Sequence, residues 1–84
     1  MKQCMITFRS VTPAQRGEGV LRRAGVDCAL RRTPRRMEEQ GCGYSLTLPC
    51  RQMRYAVELL RQQGIAYRKV YALTENGNAE ETVL

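Results

Sequence analysis

Apolar and polar residues alternate from Cys4 to Arg9, with Cys4, Ile6 and Phe8 on one side and Met5, Thr7 and Arg9 on the other. That is the period of a strand with one buried face. The period then lengthens. Ala14, Gly17, Leu21 and Ala24, with Val20 beside them, form the apolar stripe of an amphipathic helix. Thr12-Pro13-Ala14-Gln15 predicts its start as a capping box with proline at the first helical position. Gly25 predicts its stop.

Alternation returns over Val26 to Arg31, with Val26, Cys28 and Leu30 inward, and Thr33-Pro34 ends this second strand because proline lacks a ladder donor. A connection follows through Met37 and Gln40 to Gly41-Cys42-Gly43. Tyr44, Leu46 and Leu48 then alternate with Ser45 and Thr47 in a third strand that stops at Pro49. Met53, Ala56, Val57 and Leu60 mark a second helix over 50–63, closed by Gly64, and Ile65 to Leu73 reads as a fourth strand. Two right-handed crossovers lay both helices on the same side of one sheet. The expectation is therefore α+β: a ferredoxin-like split βαβ sandwich, βαββαβ, with an antiparallel sheet and two helices on one face. It covers 1–74 as a single domain, and 75–84 is expected to be a flexible acidic tail. Met5, Thr7, Ala29, Ser45 and Thr47 fall on the uncovered face, which a homodimer or a partner would cover.

Composition sharpens this picture. The chain has 84 residues, 43% of them hydrophobic, with 14 Lys or Arg against 8 Asp or Glu. Residues 1–74 hold all 14 basic groups and five acidic ones, net +9, while 75–84 hold three Glu and nothing basic. Twelve of the basic residues are Arg, whose planar fork suits anionic partners. Histidine is absent, which removes imidazole as base, ligand or pH switch and excludes Ser-His-Asp and Cys-His catalysis within this chain. No apolar run is long enough to span a membrane and MKQCMITFRS has no signal-peptide pattern, so a cytoplasmic location is expected.

That location makes thiols the expected state of Cys4, Cys28, Cys42 and Cys50, and no C-x-x-C knuckle argues for a metal. Cys4 and Cys28 fall on apolar strand faces and read as core. Cys42 lies between Gly41 and Gly43, after the cationic run Arg31, Arg32, Arg35 and Arg36, where guanidinium groups favour thiolate and a glycine turn admits a close approach. The alternative for Cys42 is a small hydrophobe beside a turn. Cys50, at the start of the second helix beside Arg51 and Arg54, is the second candidate thiol. The five residues from Tyr44 to Leu48 alone span roughly 16 Å as a strand, which argues against an easy Cys42–Cys50 disulfide.

Several of these residues together resemble a small family of selenium/sulfur carrier-like proteins, formerly a domain of unknown function. They are Met5-Ile6-Thr7-Phe8 followed by Ser10, Leu21 with Ala24-Gly25, Thr33-Pro34-Arg35, Cys42-Gly43, and the later Val57, Leu60, Gly64-Ile65 and Tyr67. The resemblance runs from about Cys4 to Leu73. It implies a compact α/β domain of sulfur or selenium metabolism, often associated with TusA-like sulfur carriers, with the family cysteine at Cys42, its glycine at Gly43 and its Thr-Pro-Arg at Thr33, Pro34 and Arg35. The chain departs from the family pattern at Glu38-Glu39-Gln40-Gly41, where small hydroxyl residues often precede the cysteine, and at Cys50, where an acidic residue is common.

The expected function is thus a carrier, and not in itself an enzyme. Cys42 would accept sulfur or selenium, Arg35 and Arg36 would stabilise the anion, Cys50 would be a second thiol, and no cofactor is called for. Its partners would be sulfur or selenium donor and acceptor proteins. Two other readings stand beside it. The positive charge on an open sheet also suits a small nucleic-acid-binding module, although one Phe and four Tyr make thin stacking equipment and no RNP-like signature occurs. The third is an assembly or regulatory protein-interaction domain whose arginines are surface charge.

Overall fold

A computed structural model describes residues 2–33, 43–74 and 79–82. The chain runs β1 (Gln3–Phe8), α1 (Val11–Arg23), β2 (Ala29–Arg32), β3 (Tyr44–Pro49), a 3₁₀ turn (Cys50–Gln52), α2 (Met53–Gln62), β4 (Val70–Leu73) and β5 (Ala79–Thr82). One antiparallel sheet holds all five strands in the order β2-β3-β1-β4-β5. The ferredoxin-like βαββαβ expectation is corrected by the fifth strand: the first six elements follow in the expected order, and β5 is added outside β4. Residues 79–82, expected in a loose tail, pair with β4 from Leu73↔Ala79 to Val70↔Thr82, and Glu81 meets Lys69 at 3.4 Å. Pairing satisfies a sheet edge that β4 would otherwise present to water.

The alternation of β1 puts Cys4, Ile6 and Phe8 under the helices. Beside them lie Leu46 and Leu48 of β3, and above them Ala14 and Leu21 of α1 with Met53, Ala56, Val57 and Leu60 of α2. Gly17 lets α1 settle onto this layer. A Cβ there would stand 3.2 Å from Leu60 Cδ2 and 3.3 Å from both Leu46 Cδ1 and Phe8 Cζ. Both helices end at glycines in the left-handed region, Gly25 at φ 85° and Gly64 at φ 68°, a conformation that a Cβ disfavours.

Several boundaries differ from the periodicity. Helix α1 begins at Val11 with Ser10 at the cap, and no side chain caps it, so the Thr12–Gln15 capping box does not form. Pro13 is accommodated because the first-turn N–H groups have no partner within the helix. Val26 and Cys28 are buried but precede β2. There the Val26 N–H donates to Leu21 O at 2.8 Å and the Arg22 guanidinium donates to Cys28 O at 3.2 Å. The fourth strand is shorter than expected because Thr7 intervenes at its entry. Thr7 N–H donates to Lys69 O (2.9 Å), Arg68 N–H donates to Thr7 O (2.7 Å), and Thr7 Oγ1 accepts from Lys69 N–H (3.0 Å). No helix among the described residues is long and apolar enough to cross a membrane.

On the sheet face away from the helices, Met5, Thr7 and Ser45 are all buried. The Ser45 hydroxyl donates to Arg31 O at 3.4 Å. Buried hydroxyls need such partners.

Candidate functional site

The β2–β3 pair ends where Thr33 N–H donates to Gly43 O at 3.0 Å, one step beyond the Arg32↔Tyr44 register pair. Of the residues singled out for carrier chemistry, Thr33 and Gly43 stand here. Pro34, Arg35, Arg36, Gly41 and Cys42 lie outside the described residues. Thr33 and Gly43 are both buried, so this end of the hairpin is held in the body of the protein. Thr33 and Gly43, joined by this hydrogen bond, are the residues to which the two ends of the segment carrying Cys42 are covalently linked. Arg31 and Arg32, which alternate across β2, are exposed and bring cationic charge to the same end of the sheet.

Thr33 carries a feature that its sequence neighbourhood did not reveal. It is 8% exposed, and its Oγ1 is buried without a hydrogen-bond partner among the described residues. A buried hydroxyl left unsatisfied costs about 1–3 kcal/mol. An anion or water that accepted a hydrogen bond from it would recover that cost.

The opposite end of β3 carries different sulfur chemistry. Cys4 and Cys50, both expected as thiols, form a disulfide across 46 residues of sequence, with their Cα atoms 4.9 Å apart. The pairing follows from register. β1 and β3 run antiparallel with Gln3 opposite Pro49, and the Cys50 N–H donates to Lys2 O at 3.1 Å, so the first residue after β3 arrives beside the start of β1. Cys4, expected as a simple core residue, is buried in the core as one half of this bond. Cys50, expected as a second thiol at the start of the second helix, is the other half. The six residues of β3 separate it from Gly43 by roughly 20 Å at about 3.3 Å per residue.

Cys28 is the free cysteine among the described residues, and it is buried. Burial pushes its thiol above the ordinary value of 9.0; the Arg22 charge and hydrogen bond oppose this, while Glu18 and Asp27 add to the rise. Thiolate is the reactive form, so Cys28 is a packing residue. An open groove of about 620 Å³ crosses the face away from the helices, lined in part by Gln3, Met5, Asp27, Thr47 and Arg51. Phe8 is wholly buried on the helix side, which removes it from any base-stacking surface.

Residues 3–72 match a family model described as "Putative Se/S carrier protein-like". No curated protein and no solved structure matches the chain.

Proposed function

The chain belongs to this Se/S carrier protein-like family, and from that premise we propose that it carries activated sulfur or selenium on Cys42. The thiolate of Cys42 attacks the outer sulfur of a donor persulfide. The new sulfur–sulfur bond leaves Cys42 as the persulfide, and the donor departs as its thiolate. Transfer to an acceptor repeats the step in reverse roles. An already ionised thiol requires no general base, consistent with a chain that lacks histidine. Arg35 and Arg36 stabilise the anionic terminal atom through charge-assisted contacts. Pro34, Gly41 and Gly43 shape the backbone around it, and no cofactor takes part. Cytoplasmic donor and acceptor proteins, including one of the TusA-like kind, are the partners, and self-association through the sheet face away from the helices is a further expectation.

The observation that supports this reading best is Thr33. Its buried hydroxyl has no partner among the described residues, and its backbone N–H is bonded to Gly43 O at the root of the segment that bears the proposed thiol. It is a ready donor to a small anion. The test is intact-protein mass after incubation with a cysteine desulfurase and cysteine, with the Cys4–Cys50 bond left oxidised so that it cannot accept sulfur. The expected product carries one additional sulfur, removable by reductant and absent from Cys42→Ser. An unmodified protein, or an adduct retained in Cys42→Ser, would overturn the proposal.

A further inference from the structure

Cys4 and Cys50 are placed for chemistry that the carrier reading does not use. Backbone pairing of β1 with β3 and the Cys50 N–H bond to Lys2 O hold the two residues together independently of the sulfur–sulfur bond. Reduction of that bond therefore leaves two thiols in register. They are not equivalent. Cys50 is partly exposed at the turn into α2, whereas Cys4 is 5% exposed beneath the helices. A reactant from solvent meets Cys50 first, and Cys4 is the group positioned to resolve what forms there.

We propose that the reduced Cys4/Cys50 pair reduces the sulfane sulfur of persulfides to sulfide. In the first step the Cys50 thiolate attacks the outer sulfur of a persulfide, taking that sulfur and releasing the donor as a thiol. In the second, Cys4 attacks Cys50 Sγ, forms the disulfide seen in the structure and expels hydrogen sulfide. One persulfide and two thiols become one thiol, one disulfide and one hydrogen sulfide: the pair supplies two electrons and the sulfane sulfur accepts them. An external dithiol restores the pair by exchange at Cys50. Strand β3 separates this end of the sheet from Gly43, so the pair acts on a low-molecular-weight persulfide or on the persulfide of another molecule. Only the second substrate rests on the proposed carrier role of Cys42.

The experiment uses full-length Cys42→Ser protein, reduced and freed of reductant, with glutathione persulfide as the probe in the absence of oxygen. The expected result is one sulfide released per protein, with matching loss of two hydrogens from the protein mass. Cys4→Ala in the same background loses the sulfide release and retains one additional sulfur at Cys50. Cys50→Ser shows neither change. Sulfide release that persists undiminished in Cys50→Ser, or reduced parent protein that remains a dithiol in the presence of the persulfide, would overturn the proposal. The parent measurement is decisive even where a variant folds poorly. Because Cys42 is absent throughout, failure here leaves the carrier proposal standing, and failure of Cys42 to load sulfur leaves this one standing.

Discussion

Two glycines of α1 should respond to alanine with opposite signs. At Gly17 a new Cβ would lie 3.2–3.3 Å from Leu60 Cδ2, Leu46 Cδ1 and Phe8 Cζ. All three residues are 0% exposed, so none can swing into solvent to relieve the contact. The helix gains about 1 kcal/mol from losing a glycine, but overpacking a filled core costs about 1–3 kcal/mol. The net effect of Gly17→Ala is a loss of roughly 1 kcal/mol. At Gly19 nothing lies within 4 Å of the added Cβ, and the substitution retains a gain of about 0.5–1 kcal/mol. The two variants should therefore differ by about 2 kcal/mol, which in a domain of this size separates their melting temperatures by roughly 10 °C. Thermal unfolding followed by far-UV circular dichroism, with both cysteines of the disulfide oxidised, measures this directly. If Gly17→Ala melts at or above Gly19→Ala, the helix does not rest on the sheet as closely as described, and the packing argument is wrong.

Further outcomes follow from the cysteines and Thr33. Breaking the Cys4–Cys50 bond, which closes a 46-residue separation, should lower the stability by about 4 kcal/mol on the loop-entropy scale; urea titrations with and without reductant should show a lower midpoint in the reduced sample, and coincident curves would refute the contribution. The Cys28 thiol has a folded pKa raised by burial above 9.0, so its contribution is full below that value and is lost as pH rises toward the folded pKa, because the unfolded chain ionises first. Stability measured from pH 8 upward should accordingly fall more steeply in the parent than in Cys28→Ala, and parallel slopes would count against it. Replacing Thr33 by Val removes a buried hydroxyl that has no partner among the described residues and should leave the stability from denaturant unfolding unchanged or raised, by up to about 1–3 kcal/mol. The same variant should load sulfur at Cys42 more slowly if that hydroxyl serves the anion, and a large loss of stability would show that it has a partner in the folded protein.

Much of the fold is legible in local pattern. The alternation of Cys4, Ile6 and Phe8 identifies the helix-facing side of β1, and the stripe from Met53 to Leu60 identifies the buried face of α2, because burial follows the geometric period of each element. The fifth strand was less legible. Asn76-Gly77 is a strong hairpin signal, yet the acidic residues beyond it have low strand propensity, and their pairing depends on the free edge of β4. That the Thr33 hydroxyl has no partner among the described residues was also hidden, since Thr33-Pro34 marks only the end of a strand and satisfaction depends on what surrounds it. The family motif nevertheless drew attention to Thr33 and Gly43, which the structure brings together in one backbone bond.

Cys4 and Cys50 show where local information ends. The chain by itself determines that one cysteine sits on an inward strand position and that the other follows Pro49, and its cationic, histidine-free composition limits the chemistry available to thiols and guanidinium groups. Only the tertiary structure decides that these two sulfurs meet. Their encounter requires β1 to lie antiparallel to β3 with Gln3 opposite Pro49, and a shift of one residue would turn the side chains to opposite faces. Strand register comes from packing and hydrogen bonding between distant segments, so it appears only when the sheet is assembled.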